Sequence, residues 1–200
     1  MPTRRCLLIS AAGVMLAASG ARARAPDELP SQAEVFTDPV TPVLGNPDGD
    51  VTIVEFFDYQ CPYCKSTYPA LKLFVADDGN VRLMMRDWPI FGPSSQLAAQ
   101  RVLSLDPEGY LKAHEALMAT EGRLAESDVL DILDEAGVAA LPSAHAAEAV
   151  SETLERNDRM ANAFGLVGTP AFVIGSRVFG GVLDRNGLAQ AVLEARGERE

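Results

Sequence analysis

Cys61 and Cys64, separated only by Pro62 and Tyr63, are the residues of this chain whose type and spacing best suit chemistry. Two cysteines three positions apart at the start of a helix lie about one turn from each other, so their sulfurs can bond. The same spacing also suits a structural staple, a zinc half-site or a two-coordinate pair for Cu(I). A staple closing a loop of two residues would constrain the unfolded chain very little. A structural zinc site takes four Cys or His ligands, and beyond the N-terminal leader the chain has only Cys61, Cys64, His114 and His145, widely separated. A cysteine protease would need a histidine paired with Cys61. His114 and His145 each fall on a predicted helix, where packing or surface exposure is the expected role. A redox-active dithiol is the reading kept, with no metal at the site. A Cu(I) binder is the alternative from another class.

The chemistry of such a pair depends on where it sits. Cys61 follows the apolar run Val51-Thr52-Ile53-Val54-Glu55-Phe56-Phe57 and precedes a helical pattern opened by Pro62, the residue type suited to a first helical position. The unpaired amides and dipole of a helix N-terminus favour an anion there. Cys61 is therefore expected to be the exposed, acidic nucleophile, and Cys64, one turn inside, the resolving thiol. Pro62 and Tyr63 lie between the sulfurs and tune the thiolate. Glu55 breaks the apolar pattern six residues before Cys61. Buried without a partner, its carboxyl would be pushed towards the neutral form and could exchange protons with Cys64. A carboxylate paired at a strand edge is the bland alternative.

The elements around these residues alternate between strand and helix. Val51 to Phe57 has the β-branched and aromatic character of a strand buried on both faces. Pro62 to about Ala76 is helical, with Leu71, Phe74 and Val75 on one face and a kink expected at Pro69. Val81 to Met85 reads as a second strand and Trp88 to Pro93 as an ordered loop. Four helices are predicted next, over Ser95–Leu105, Gly109–Thr120, Glu126–Ala136 and Ser143–Phe164. A run of helices inside an alternating α/β chain indicates an inserted helical subdomain. Gly168-Thr169-Pro170 then leads into a hairpin, Ala171 to Gly181, and Asp184 caps a last amphipathic helix. Upstream, residues 26–50 are rich in Pro, Asp and Gly and read as a surface lead-in, with Val35-Phe36 and Val40 to Leu44 as short extended pieces.

Composition narrows the partners. The hydrophobic share of 48% and charged share of 22% are those of an ordinary globular protein. A net charge of −11 argues against nucleic acid, whose phosphates it would repel. Arg4 and Arg5, an apolar stretch from Cys6 to Ala18, and Ala21-Arg22-Ala23 form a leader with an A-x-A cleavage site. Thr3-Arg4-Arg5-Cys6-Leu7-Leu8 also resembles a twin-arginine signal. Removing residues 1–23 takes away Arg4, Arg5 and Arg22 and no acid, which leaves 14 basic against 28 acidic residues, about −14.

Together, Glu55-Phe56-Phe57, the six-residue step to Cys61-Pro62-Tyr63-Cys64, Pro69, the helical insertion and Gly168-Thr169-Pro170 resemble the thioredoxin superfamily. Val43-Leu44-Gly45-Asn46-Pro47 and Asp58-Tyr59-Gln60 before the cysteines, with Lys65 after them, are similar to its DsbA-like branch, including proteins of the ScsC kind. The resemblance implies an α/β thioredoxin fold, a mixed central sheet flanked by helices, carrying an inserted helical subdomain. The expected organisation is a signal peptide (1–23), a lead-in (24–50), the first part of the fold (51–93), the insertion (94–165) and the second part (166–200). It also implies that Thr169-Pro170 is a cis peptide facing Cys61 and offering backbone groups to an extended substrate strand. The activity expected is thiol-disulfide exchange on protein cysteines in the periplasm, as an oxidase or alternatively an isomerase or reductase. No cofactor beyond the Cys61–Cys64 disulfide is expected, the protein is expected to be a monomer, and a membrane redox partner is expected to reset it. Isomerases of the ScsC kind carry an N-terminal oligomerisation segment, and only about two dozen residues separate the expected cleavage site from Val51.

Overall fold

The computed structural model describes residues 29–138 and 144–198, with side chains from residue 146 in the second segment. The predicted leader and the side chain of His145 lie outside the described residues. Among the described residues no helix is long and apolar enough to cross a membrane.

The elements run α1 (Gln32–Phe36), β1 (Val43–Gly45), β2 (Val51–Phe57), α2 (Pro62–Asp78), β3 (Val81–Asp87), α3 (Pro93–Leu103), α4 (Pro107–Met118), α5 (Glu126–Glu135), α6 (Ala144–Ala163), β4 (Ala171–Ile174), β5 (Arg177–Gly180) and α7 (Arg185–Gly197). Five strands form one mixed sheet in the order β1-β3-β2-β4-β5. The central strand, β2, is parallel to β3, with Glu55 opposite Met85, and antiparallel to β4, with Glu55 opposite Phe172. The helical run α3 to α6 separates β3 from β4 in the chain.

Successive strand side chains point to opposite faces, so β2 feeds two cores. Val51, Ile53 and Phe57 join Tyr59, Cys61, Cys64, Tyr68, Leu71 and Met85 on the face covered by α2, α7 and helices α3 to α5 of the insertion. Val54 and Phe56 join Val35, Met84, Trp88, Met160 and Val173 on the other. The buried side of α2 is Cys64, Lys65, Tyr68, Leu71, Phe74 and Val75, and the helix continues through Pro69 to a left-handed Gly79. There Gly79 N–H caps the Val75 carbonyl at 3.1 Å, a conformation that glycine adopts without strain.

Several boundaries differ from the sequence reading for definable reasons. Val35 and Phe36, expected to be extended, end the short helix α1, because Ser31 and Glu34 form a reciprocal capping box. The segment read as a surface lead-in also supplies edge strand β1, antiparallel to β3. Helices α3 and α4 start two residues earlier than predicted, with Pro93 and Pro107 at their first positions. Strand β3 continues past Met85 through Arg86 and Asp87, both buried. Arg86 is tolerated there because its guanidinium donates to Asn157 Oδ1 (2.9 Å), Asp38 Oδ2 (3.2 Å) and the carbonyls of Glu34 (2.7 Å) and Val35 (3.0 Å). That one cation ties α1 and α6 to the sheet.

Candidate active site

The cysteines sit where β2 hands over to α2. Cys61 is the N-cap of α2, its N–H donating to the Asp58 carbonyl at 3.0 Å and its carbonyl accepting from Lys65 N–H at 3.2 Å. Pro62 takes the first helical position, where its missing N–H leaves no bond unmade. Both cysteines are free thiols. The Thr169–Pro170 peptide is cis, and the Thr169 carbonyl accepts a hydrogen bond from Cys61 Sγ at 3.2 Å. The loop before β4 is thereby set against the first cysteine, 108 residues away in the chain.

Exposure does not distinguish the two sulfurs in the way the spacing suggests. Cys61, expected to be exposed, is 1% accessible against 0% for Cys64. The two residues between the cysteines, Pro62 and Tyr63, are exposed instead, Tyr63 at 64%. Hydrogen bonding makes the difference. A hydrogen bond from Cys64 is the main influence bringing the Cys61 thiol down to about 6, burial opposes it, and the Thr169 side chain with the Cys64 and Tyr63 amides assists. Burial first, then that same bond and the nearby Glu55 charge, holds the Cys64 proton on far more firmly. At pH 7 Cys61 is thus mostly a thiolate, which gives up the bond that its thiol form donates to the Thr169 carbonyl, and Cys64 stays a thiol.

Glu55 lies in the middle of the central strand, not at an edge, and is fully buried. Neither carboxylate oxygen has a hydrogen-bond partner among the described residues. Desolvation pushes the carboxyl up to about 8, with the negative charge of Cys61 adding to the effect. Glu55 is therefore mostly protonated at neutral pH, a carboxylic acid held near two thiols of opposite character.

Asp58 organises the approach to the motif, a role that inspection of the sequence does not assign. Its Oδ1 accepts from Gln60 N–H (2.7 Å) and Ser95 Oγ–H (2.7 Å), and its Oδ2 from the amides of Ile90 (2.8 Å) and Phe91 (3.1 Å). One carboxylate therefore joins the turn before Cys61, the loop after β3 and the start of α3. Its signal was a bare acid directly after an apolar strand. His114 is a packing residue, fully buried, with its ring near those of Phe57, Tyr59, Tyr68 and Tyr110. Its Nδ1 shares a 3.0 Å hydrogen bond with the Tyr59 hydroxyl, and burial brings it down to about 3, so it stays neutral. Trp88 is buried and donates to Asp158 at 3.0 Å, whereas Phe91 is 36% exposed. Among the described residues no cluster of three or more His, Cys, Asp or Glu side chains is placed to hold a metal.

A dithiol at the N-terminus of a helix, packed on a mixed sheet and faced by a cis-proline loop, defines a dithiol protein of thioredoxin architecture. The chain belongs to the thioredoxin family, whose model matches residues 37–194, and within the superfamily it is DsbA-like. It is similar to a thioredoxin-like oxidoreductase from Silicibacter pomeroyi, with 37% identity, a TM-score of 0.75, and 84% of this chain and 99% of that one covered. The catalytic domain of Proteus mirabilis ScsC matches at 29% identity with a TM-score of 0.76, over 82% of this chain and 94% of that one. Disulfide bond formation protein D of Bacillus subtilis is 37% identical over 83 residues, 38% of this chain and 37% of that protein. The chain spans 24% and 29% of the length of two Salinispora Na(+)/H(+) antiporters that it also matches.

Proposed function

We propose that the protein is an exported thiol-disulfide oxidoreductase that forms disulfides in client proteins through Cys61 and Cys64. The observation that carries this reading is the unequal pair: an acidic Cys61 at the helix N-terminus against the Thr169 carbonyl, beside a Cys64 that keeps its proton. In the oxidised enzyme a client thiolate attacks Cys61 Sγ, the Cys61–Cys64 bond breaks, and Cys64 leaves as a thiolate that takes a proton from Glu55. A second client thiolate then attacks the client sulfur of the mixed disulfide and expels Cys61 as a thiolate. The client gains a disulfide, and its two electrons stay on the enzyme as the dithiol. Thr169 and Pro170 hold the client strand across the site, and Pro62 and Tyr63 tune the leaving thiolate. A well-stabilised Cys61 thiolate favours the reduced form, which makes the disulfide a strong oxidant.

In this reading the protein works as a monomer in the periplasm, and a membrane partner carrying its own disulfide reoxidises it. Oxidative refolding of a reduced client, together with the reduction potential, tests the direction. The oxidase reading expects catalysed refolding and a potential well above the roughly −270 mV of thioredoxin; a potential that low refutes it. Isomerisation or reduction by the dithiol form is the second reading. In that case the dithiol form rearranges a scrambled client faster than the disulfide form oxidises a reduced one.

A further inference from the structure

Lys65 directly follows the second cysteine, and the exchange chemistry leaves it unused. It is only 6% exposed, unusual for a lysine unless its ammonium is partnered. Its Nζ donates to the Gly122 carbonyl at 2.8 Å, in the turn between α4 and α5 of the insertion. Gln60, the residue before the first cysteine, accepts the Leu124 N–H at 2.8 Å through Oε1. The two residues bracketing the motif therefore reach the same short turn from opposite sides. From that turn the Arg123 guanidinium lies 5.4 Å from the Phe91 ring centre, on the loop whose amides Asp58 holds. Motif, turn and loop form one tied assembly, with Arg123 and Phe91 among its solvent-facing members.

We propose that Lys65 is a positioning residue that clamps the 121–124 turn of the insertion onto the dithiol helix and holds a cation near Cys61 and Asp58. The proposal rests on the reading of Cys61 and Cys64 as a working dithiol. Asp58 and Cys61 are the negative groups that favour the Lys65 ammonium, against the burial that disfavours it. In the dithiol form the ammonium attracts the Cys61 thiolate. In the disulfide form that charge is gone, and the Gly122 carbonyl and Asp58 remain as its partners. Lys65 therefore joins the redox state of the motif to the seating of the turn.

The test is K65M, which keeps the buried stem and removes the charge and donor, with K65R as the charge-preserving control. In the reduced full-length protein, thiolate absorbance near 240 nm is titrated against pH, and amide exchange is followed at Leu124. K65M is expected to hold about three- to tenfold less Cys61 thiolate below the wild-type midpoint. It is also expected to exchange the Leu124 amide at least about tenfold faster. K65R is expected to restore the wild-type titration. A K65M titration that overlays the wild type, an unchanged Leu124 exchange rate, or a K65R curve displaced as far as that of K65M overturns the assignment. Neither readout needs turnover, so wild-type protein that fails to exchange disulfides with a client refutes the proposed function separately.

Discussion

Replacing Glu55 by Gln keeps the shape of the side chain and removes its ionisation, so the variant isolates a cost set by burial. In the unfolded chain the carboxyl ionises near 4.5, and in the folded protein near 8. Between those values the folded state holds a proton that the unfolded state has lost, so the wild type loses about 1.4 kcal/mol of stability per pH unit through this group. That contribution is intact below 4.5 and gone once pH has risen past 8. Relative to wild type, E55Q should therefore gain about 1 kcal/mol at pH 5 and about 3 kcal/mol at pH 7.

Cys61 slopes the other way, because its folded value of about 6 lies below its ordinary 9. The stability it contributes is fully present above 9 and lost as pH falls through 6. From pH 6 to 8 the two groups cancel, and the reduced wild type should be nearly flat where E55Q climbs by about 2 kcal/mol. Urea unfolding of both reduced proteins at pH 5, 6, 7 and 8 reads this directly. Curves that stay parallel across that range would mean that Glu55 ionises as an ordinary surface acid, and the inference from burial would fail. The same variant should slow disulfide exchange by about 10- to 100-fold, through loss of a proton donor to Cys64.

Cys64→Ser should trap the mixed disulfide between Cys61 and a client, visible as a covalent adduct on non-reducing gels, while Cys61→Ser traps none and abolishes exchange. Asp58→Ala removes the acceptor of four hydrogen bonds at the joint of three segments; unfolding should be easier by about 3 kcal/mol. His114 is neutral when folded, with a value near 3 against an ordinary 6.5. Its contribution is present above 6.5 and lost as pH falls towards 3, so His114→Gln should flatten the stability loss between pH 6 and 4, by about 1.4 kcal/mol per pH unit.

Much of this arrangement was legible because short-range rules produced it. The β-branched run of β2, the proline after Cys61 and the acidic cap at Asp184 place their elements with no long-range information. Glu55 could be singled out because a carboxylate inside an apolar strand breaks a local pattern. Arg86 and Asp87 were missed for the complementary reason. A charge at the end of a strand reads as solvated, and only the contacts that α1 and α6 make with Arg86 turn that position inward. Asp58, Gln60 and Lys65 were visible as residue types, but apart from the Asp58–Gln60 contact their partners lie 32 to 64 residues away along the chain. No periodicity or cap rule spans that distance. The depth of Cys61 was misjudged likewise, because a helix N-terminus facing solvent and one facing the Thr169 carbonyl have the same local sequence.

The burial of Cys61 changes how the two thiols come to differ. If exposure set their roles, a change of accessible area would suffice to exchange them. With both sulfurs buried, the asymmetry comes instead from direction: the helix amides and the Cys64 hydrogen bond point at Cys61, whereas Cys64 has Glu55 and an apolar wall. The part that the helix amides supply is a property of backbone geometry, so it persists when other side chains around the site are exchanged. Exchanging the two residues between the cysteines should then leave the order of the pair unchanged. Reversal would need the start of α2 itself to move, and that is held by Asp58 on one side and by Lys65 and Gln60 on the other.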